Sequence, residues 1–224
     1  MPLANIVVET FLKGGPIMWP ILACLVVAVA AVAERLAYWR TVRRLRDERL
    51  FAEALWDVRL GNYGPAWAKT QGARSPFLIA LRSGLANGRT EPVTAMQLRA
   101  EETLEEAAAR QWLLSTIVTL APLLGLLGTV VGIMGSFRFI GSEQLAVAKV
   151  SGGVGEALIA TAAGLGIAIV CLVPHNFFHR RLQSLRHDLE QAVNQAEIAL
   201  KSAAAAGQPV ADFQPAPDEA GRAR

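Results

Sequence analysis

Two glycine-rich apolar stretches constrain the fold of this chain more than any other feature. They are APLLGLLGTVVGIMG at residues 121–135 and GGVGEALIATAAGLG at residues 152–166. No charged residue lies in 111–137, and Glu156 is the one charged residue in 150–173. An apolar run of 18 or more residues is long enough to cross a bilayer, where a helix satisfies its own backbone hydrogen bonds. Each stretch therefore predicts a membrane-spanning helix.

A third apolar block lies near the N-terminus. Trp19 and Trp39 bracket it, and their spacing of 20 residues corresponds to about 30 Å of helix, close to the hydrocarbon thickness. A cleaved signal peptide is the alternative, but in signal peptides the positive charges precede the apolar run. Here six arginines accompany its C-terminal end, namely Arg35, Arg40, Arg43, Arg44, Arg46 and Arg49. The chain is therefore predicted to be an all-α integral membrane protein with three transmembrane helices, at 16–39, 112–137 and 153–178.

The segments between and beside these spans are predicted from composition and turn signals. Residues 1–15 form an amphipathic periplasmic segment, which ends at a Gly-Gly-Pro sequence. Residues 40–111 form a helical cytoplasmic domain, whose part 91–110 is predicted as one long helix running into the second span. The other segments are a periplasmic loop at 138–152, a cytoplasmic helix at 179–203 and a disordered tail, rich in Ala, Pro and Gly, at 204–224.

The distribution of basic residues predicts the orientation of the spans. Segments 40–111 and 174–224 together contain 18 Lys and Arg, whereas the N-terminal segment and the loop at 138–150 contain three. Basic residues are enriched in cytoplasmic loops, so the N-terminus is predicted outside and the C-terminus inside. The net charge of +3 is therefore explained by loop asymmetry, and no nucleic-acid partner is predicted.

Small residues define a packing face on each of the two later spans. The four glycines of the second span have 3-4-3 spacing, and small residues of the third span recur every four positions. Such faces let helices approach closely, and in membranes this packing drives association. The predicted packing residues are Gly125, Gly128, Gly132, Gly135, Ala160 and Gly164.

Glu156 is the residue that most needs an explanation, since a charged side chain at the centre of a span costs roughly 2.5–3.5 kcal/mol on insertion scales. It either handles protons or cations inside a helix bundle or extends its carboxylate to the outer interface. Thr129 and Thr161 are candidate partners in an ion path, although threonine often donates to a carbonyl of its own helix. Thr161 lies about 140° around the helix from Glu156, so one narrow pore face cannot hold both.

Two further groups of polar side chains are candidate sites. The acidic cluster Glu101, Glu102, Glu105 and Glu106 is either a metal or catalytic site or a solvated face. His175 and His179 form either a metal-binding pair or an interfacial anchor, with no third ligand nearby. No nucleophile–base pair, phosphate loop or metal-ligand set is visible in the soluble segment. We therefore predict no enzyme activity, no cofactor and no metal.

The glycine-rich spans resemble a specific family signature. APLLGLLGTVVGIMGSF and GGVGEALIATAAGLGIAIVCLVPHNFF are similar to the motifs of the MotA/TolQ/ExbB proton channel family, in its ExbB/TolQ branch. The first span, GGPIMWPILACLVVAVAAVAERL, also resembles that branch, and the similarity covers about residues 5–200. The chain departs from the four-span MotA arrangement, and Val131 stands where the family frequently has Trp.

The resemblance implies a function and a set of partners. It implies a homo-pentamer in the bacterial inner membrane around single-span ExbD/TolR-like helices, driving a TonB- or TolA-like effector with the proton motive force. The family's pore threonines fall on Thr129 and Thr161, and its third-span glutamate falls on Glu156. A structural membrane scaffold without ion flux is the alternative function. A secondary transporter is disfavoured because no inverted repeat is visible.

Overall fold

The computed structural model of the chain describes residues 2–137 and 146–215, and this part is built from α-helices, with no strand in the described ranges. The all-α prediction is therefore confirmed. The elements are α1 Pro2–Lys13, α2 Met18–Leu45, α3 Glu48–Arg59, α4 Tyr63–Thr70, α5 Pro76–Ala86, α6 Pro92–Ala108, α7 Gln111–Phe137, α8 Ala146–Ala205 and a 3-10 helix Val210–Asp212. Three of them, α2, α7 and α8, contain stretches long and apolar enough to cross a membrane.

The chain divides into two compact units. Unit one consists of Met1–Arg35 and Arg110–His179, and unit two consists of Leu36–Ala109 and Arg180–Arg224. The long helices α2 and α8 each contribute one part to unit one and another part to unit two.

Unit one is built around the antiparallel pair α7 and α8, which meet through small residues. A β-carbon added at Gly125 would lie 3.0 Å from the Cα of Thr161, and one added at Gly128 would lie 2.8 Å from the Cβ of Ala160. The N-terminal part of α2 packs onto the same pair, since Met18 and Ile21 form a buried cluster with Ala160. Because no large side chain separates them, the helices approach nearly backbone to backbone.

Unit two has an interior of large aliphatic and aromatic side chains. Leu78, Leu81 and Leu85 repeat at helical spacing on α5 and are fully buried, together with Met96 of α6 and Leu189 of α8. Apolar residues at this spacing form the core-facing stripe of an amphipathic helix. Helix α3 begins at a capping residue, because the Asp47 carboxylate accepts a hydrogen bond of 3.0 Å from the backbone N–H of Leu50. Short helices around one core of large apolar side chains are typical of a domain in contact with water.

The long helix predicted over 91–110 is present as α6, but the prediction that it runs without a break into the second span is wrong. Helix α6 ends at Ala108, and α7 begins at Gln111 after a turn in which Arg110 has a φ of 60°. This left-handed conformation is unfavourable for a residue with a side chain. The Arg110 guanidinium lies 2.5 Å from the Glu34 carboxylate of α2, an ion pair within unit one that compensates part of that cost. Residue spacing along the sequence does not reveal this partner.

Helix α8 begins earlier and ends later than the predicted third span. The expected loop at 138–152 falls partly on residues 138–145, which lie outside the described residues, whereas 146–152 are helical. From Ala146 the helix continues without interruption through Pro174 to Ala205. The predicted third span and the predicted cytoplasmic helix are therefore parts of one helix of 60 residues.

The predicted disordered tail is wrong over residues 204–215. Val210 is buried against Gly88, and the Tyr63 hydroxyl donates a hydrogen bond of 2.7 Å to the carbonyl oxygen of Gln208. The Phe213 ring lies 5.9 Å from the Tyr63 ring and 6.1 Å from the Trp67 ring, between centroids. The composition of the tail indicated disorder, but its large residues Val210 and Phe213 pack against α4 and the loop that contains Gly88. Residues 216–224 lie outside the described residues.

Candidate functional site

The contact between α7 and α8 places the predicted site residues relative to one another. A β-carbon added at Gly164 would collide with the carbonyl oxygen of Ala121, and one added at Gly132 would lie 2.9 Å from the Cβ of Ala157. In both cases the added β-carbon would lie closer to its neighbour than ordinary van der Waals contact allows. The two helices can therefore approach this closely only because glycine has no side chain at these positions. The two glycine-rich motifs, which are separated in sequence by residues 136–151, thus form one interface.

Gly135 differs from the other predicted packing glycines. A β-carbon added there would have no neighbour within 4 Å, whereas Gly125, Gly128 and Gly132 all face α8 closely. Gly135 instead lines a cavity at this end of the helix pair. The 3-4-3 spacing predicted one continuous packing face, and within the described residues of this chain that face stops at Gly132.

Thr161 lies in the helix interface. Its Oγ1 donates a hydrogen bond of 2.8 Å to the Gly125 carbonyl oxygen of α7 and lies 3.2 Å from the Ala157 carbonyl oxygen of its own helix. A hydroxyl has one proton to donate, and the shorter contact is the one between helices. Thr161 therefore connects α8 to α7 through a polar contact inside an apolar interface, and its oxygen keeps acceptor capacity.

Thr129 has a different environment. Its Oγ1 donates a hydrogen bond of 2.6 Å to the Leu126 carbonyl oxygen of its own helix. Val130 and Val131, which follow it in sequence, are exposed on the same helix. The structure therefore does not join the two threonine hydroxyls by a hydrogen bond: Thr161 is bonded across the interface, and Thr129 is bonded within α7.

Glu156 lines a cavity of about 460 Å³ within unit one. The walls come from the turn between α1 and α2 (Gly14, Pro16, Ile17), from α7 (Gly128, Val131, Gly132, Gly135, Ser136) and from α8 (Gly153, Glu156). The Glu156 side chain is half-buried, and among the described residues it makes no hydrogen bond or ion pair. A carboxylate in such a position has room for polar ligands, which a wholly apolar surrounding would deny it.

Two features of this cavity were missed at the level of sequence. Ser136 is buried and donates a hydrogen bond of 2.9 Å to the Gly132 carbonyl oxygen, and it faces Gly153 directly. Gly15 lies against the Glu156 carboxylate, since a β-carbon added at Gly15 would overlap Oε1 and lie 2.6 Å from Cδ. The Gly-Gly-Pro sequence indicated a helix break, but nothing in the sequence indicated that this turn reaches Glu156.

The other candidate groups are separate from this cavity. Glu102 of the acidic cluster pairs with Arg99 at 2.5 Å, while Glu101, Glu105 and Glu106 are exposed on α6. The His175 and His179 rings stack at 6.4 Å between centroids on α8. Within the described ranges, no three His, Cys, Asp or Glu side chains are grouped as they would be to hold a metal ion.

Comparison with known proteins gives a family match and several relatives. The model of the MotA/TolQ/ExbB proton channel family matches residues 74–191. The chain is 35% identical over 173 residues to the putative biopolymer transport protein ExbB-like 3 of Synechocystis sp., covering 75% of this chain and 82% of that protein. It is 30% identical over 207 residues to the biopolymer transport protein ExbB of Xanthomonas campestris pv. campestris, covering 77% and 80% of the two chains.

The chain is also similar to a protein named TolQ. The Tol-Pal system protein TolQ of Haemophilus influenzae is 37% identical over 95 residues, which is 42% of each chain. The family match covers more than half of the chain and includes both glycine-rich motifs, so the resemblance inferred from those motifs is confirmed. The chain belongs to the MotA/TolQ/ExbB proton channel family, in its ExbB/TolQ branch.

Proposed function

We propose that this chain is the channel-forming subunit of an inner-membrane motor that couples the proton motive force to a periplasm-spanning effector. Membership of a proton channel family and three helices able to cross a membrane support this function. The N-terminus lies outside, and unit two lies in the cytoplasm, as the excess of basic residues in its segments favours. The chain acts as a transport protein and not as an enzyme.

The observation that carries the proposal is the position of Glu156. It is the one acidic residue in an otherwise uncharged stretch, and it faces a cavity rather than packed side chains. Ionisable residues inside membrane spans are costly, and they usually mark ion paths. In this role Glu156 accepts and releases protons, or its charge attracts them toward the channel.

The two threonines supply hydroxyl groups along the same helix pair. Thr161 donates to the Gly125 carbonyl and can still accept a hydrogen bond from water or hydronium. Thr129 lies on α7 with its proton given to Leu126 and its oxygen free to accept another donor. Acceptor oxygens of this kind can hold water molecules in the path by hydrogen bonds, and the waters, which can both accept and donate, pass the proton along.

The energy available is sufficient for a mechanical output. One elementary charge that moves through 100 mV releases about 2.3 kcal/mol. This is comparable to the energy of a few interhelical hydrogen bonds, which measure about 0.6 kcal/mol on average. Proton passage can therefore bias the relative positions of helices that are held together by contacts of this strength.

The partners of the complex follow from the relatives. Biopolymer transport protein ExbB and Tol-Pal system protein TolQ are the names of similar proteins. By analogy we propose a homo-pentamer, surrounded by membrane lipid, that encloses an ExbD/TolR-like single-span protein with an intramembrane aspartate. A TonB- or TolA-like protein is the effector. The helix pair α7 and α8, which carries Thr129, Thr161 and Glu156, faces the partner helices in this arrangement.

The test is a proton-uptake assay on vesicles that contain the chain with its co-expressed single-span partner. We expect Glu156→Gln, Thr129→Val and Thr161→Val each to lower proton uptake while the complex still assembles. Valine matches threonine in shape but lacks the hydroxyl, and glutamine lacks the titratable group. Thr119→Val is the matched control, because Thr119 lies on α7 and donates to the Ser115 carbonyl of its own helix; it should leave uptake unchanged.

One observation favours a second function, a membrane scaffold without ion flux. Both threonine hydroxyls donate to backbone carbonyls, as they would if they served helix stability alone. Wild-type uptake in all three variants would favour a path that avoids these residues. No uptake by the wild-type complex, with the partner present, would favour the scaffold.

A further inference from the structure

We propose that Gly15 is a positioning residue, which holds the Glu156 carboxylate at the cavity by placing the bare backbone of the N-terminal turn against it. This inference rests on the proposed function, because it explains how one of the proposed ion-path residues is kept in place. It concerns the turn before the first span, which lies outside residues 74–191, the part of the chain that the family model matches.

The geometry at Gly15 leaves no room for a side chain. Gly15 has a φ of +71°, which residues with a side chain rarely adopt. A β-carbon at this position would overlap the Oε1 atom of Glu156 and approach its Cγ to 3.1 Å. The carboxylate therefore occupies the space that any other residue at position 15 would fill.

The turn that carries Gly15 is fixed by local contacts. The backbone N–H of Gly14 donates to the Phe11 carbonyl at 3.2 Å, and that of Met18 donates to the Gly15 carbonyl at 3.1 Å. The rings of Phe11 and Trp19 meet edge to face, 5.2 Å apart between centroids, on the two sides of the turn. These contacts connect the end of α1 to the start of α2 and fix the conformation of the turn.

The turn between α1 and α2 limits the conformations that the Glu156 side chain can adopt. Gly14, Pro16 and Ile17 of the same turn line the cavity that Glu156 lines from α8. Among the described residues the carboxylate has no hydrogen-bond or salt-bridge partner that would orient it. Steric contact with the turn is therefore what restrains the Glu156 carboxylate. A side chain at position 15 would fill the space that the carboxylate now occupies.

The first measurement is the rate at which a hydrophobic carbodiimide labels Glu156, read by peptide mass spectrometry on the complex with its partner. In Gly15→Ala the methyl group displaces the carboxylate from the turn that covers it, so we expect labelling to be several-fold faster. Gly152→Ala is the matched control, since a β-carbon added there, on α8 one turn before Glu156, would meet nothing within 4 Å. Unchanged labelling in Gly15→Ala would overturn the inference, whatever the proton uptake.

A second variant separates displacement from backbone strain. Asparagine tolerates the left-handed conformation better than alanine does, yet its β-carbon occupies the same position. Gly15→Asn should therefore also speed labelling, even where Gly15→Ala accumulates poorly. If the asparagine variant labels at the wild-type rate, strain and not contact with Glu156 explains the alanine result, and the inference fails.

Proton uptake then tests the consequence for function. We expect Gly15→Ala to lower uptake at least about tenfold, since misplacing a reacting group by about 1 Å can cost about a hundredfold. Glu156→Asp shortens the side chain by one methylene, so its carboxylate no longer reaches Gly15. In this background Gly15→Ala should lower proton uptake less than about twofold, because the effects of mutating two residues in contact are not additive. If Gly15→Ala still lowered proton uptake about tenfold in the Glu156→Asp background, Gly15 would act through a residue other than Glu156. Faster labelling in a complex whose wild type takes up no protons would retain the positioning role and refute the channel function alone.

Discussion

In unit one the helices meet through glycine and alanine, whereas in unit two they meet through leucine, methionine and aromatic side chains. On α7 the contact positions are Gly125 and Gly128, while Leu126 points outward and is 57% exposed. On α5 of unit two the arrangement is reversed, and Leu78 and Leu81 are at most 1% exposed. The same chain therefore exposes large apolar residues such as Leu126 on α7 and buries Leu78 and Leu81 on α5.

The difference is the one expected if unit one lies in lipid and unit two in water. In water, burying a leucine side chain contributes about 1.5–3 kcal/mol, so large apolar residues collect in the core. In lipid the surroundings are as apolar as leucine, so helix association depends on close packing and polar contacts, which small residues allow. The distribution of exposed leucine and valine on α7 and α8 thus supports a hydrocarbon environment for unit one.

The strongest test of this comparison is a large residue in the glycine interface. Gly164→Leu places its side chain against the Ala121 backbone carbonyl, which cannot move away without separating the helices. We expect a loss above about 4 kcal/mol, in the range reserved for severe overpacking, seen as little folded protein in detergent. Gly166→Leu on the same helix, where an added β-carbon meets nothing within 4 Å, should yield folded protein. Equal yields of the two variants would contradict the small-residue interface.

The complementary test removes a large residue from unit two. Leu78→Ala leaves a cavity at a fully buried position and should cost about 2–5 kcal/mol in the free energy of unfolding. Leu98→Ala on α6, where the side chain is 61% exposed, should change it by less than about 0.5 kcal/mol. Thermal unfolding in detergent, followed by circular dichroism, measures both. A similar loss in the two variants would argue against a water-type core in unit two.

A smaller effect is expected where the C-terminal segment docks on unit two. Tyr63→Phe removes the hydrogen bond to the Gln208 carbonyl and should cost about 1 kcal/mol at neutral pH. Burial raises the pKa of the Tyr63 hydroxyl in the folded protein, and the nearby Asp212 carboxylate raises it further. The folded state therefore favours the neutral phenol.

The stabilisation from Tyr63 is fully present below its unfolded pKa of about 10, and it is lost as the pH rises through the folded value. The wild-type protein should accordingly lose stability faster than Tyr63→Phe above about pH 10. Parallel unfolding temperatures of the two proteins between neutral pH and that range would show that the docked segment does not depend on Tyr63.

The smallest effect sharpens the comparison within unit one. Thr161→Val removes the hydroxyl that reaches across to α7 and should lower stability by about 0.6 kcal/mol, the average for hydrogen bonds between membrane helices. Thr129→Val removes a hydroxyl bonded inside its own helix and should have a smaller effect still. Thermal unfolding in detergent would reveal the order, and a larger loss at Thr129 would contradict the different partners of the two hydroxyls.

Several features of this protein could be predicted from local sequence because their causes are local. The length of an uncharged apolar run reveals a helix able to cross a membrane, as at residues 111–137. Glycine spacing reveals a small-residue face, because helix geometry places residues three and four apart on one side. The two motifs also carried enough specific positions to identify the family before any comparison.

Other features depend on contacts between segments that are remote in sequence, and only the tertiary structure decided them. The Arg110 turn that ends α6 is paired with Glu34, and the tail beyond Ala205 is held by Tyr63 and Trp67. Composition misjudged both regions, since neither a favourable ion pair nor a docking surface is visible in the segment itself.

The candidate site shows the same division. The apolar context marked Glu156 as a functional candidate from the sequence alone, because a carboxylate in a membrane span needs a reason to be there. Its neighbours Gly15 and Ser136, and the partner of Thr161, came from the way α1, α7 and α8 pack. Sequence determines which residues are costly or small, and packing determines which of them meet, because a contact requires that both partners be placed by the whole unit.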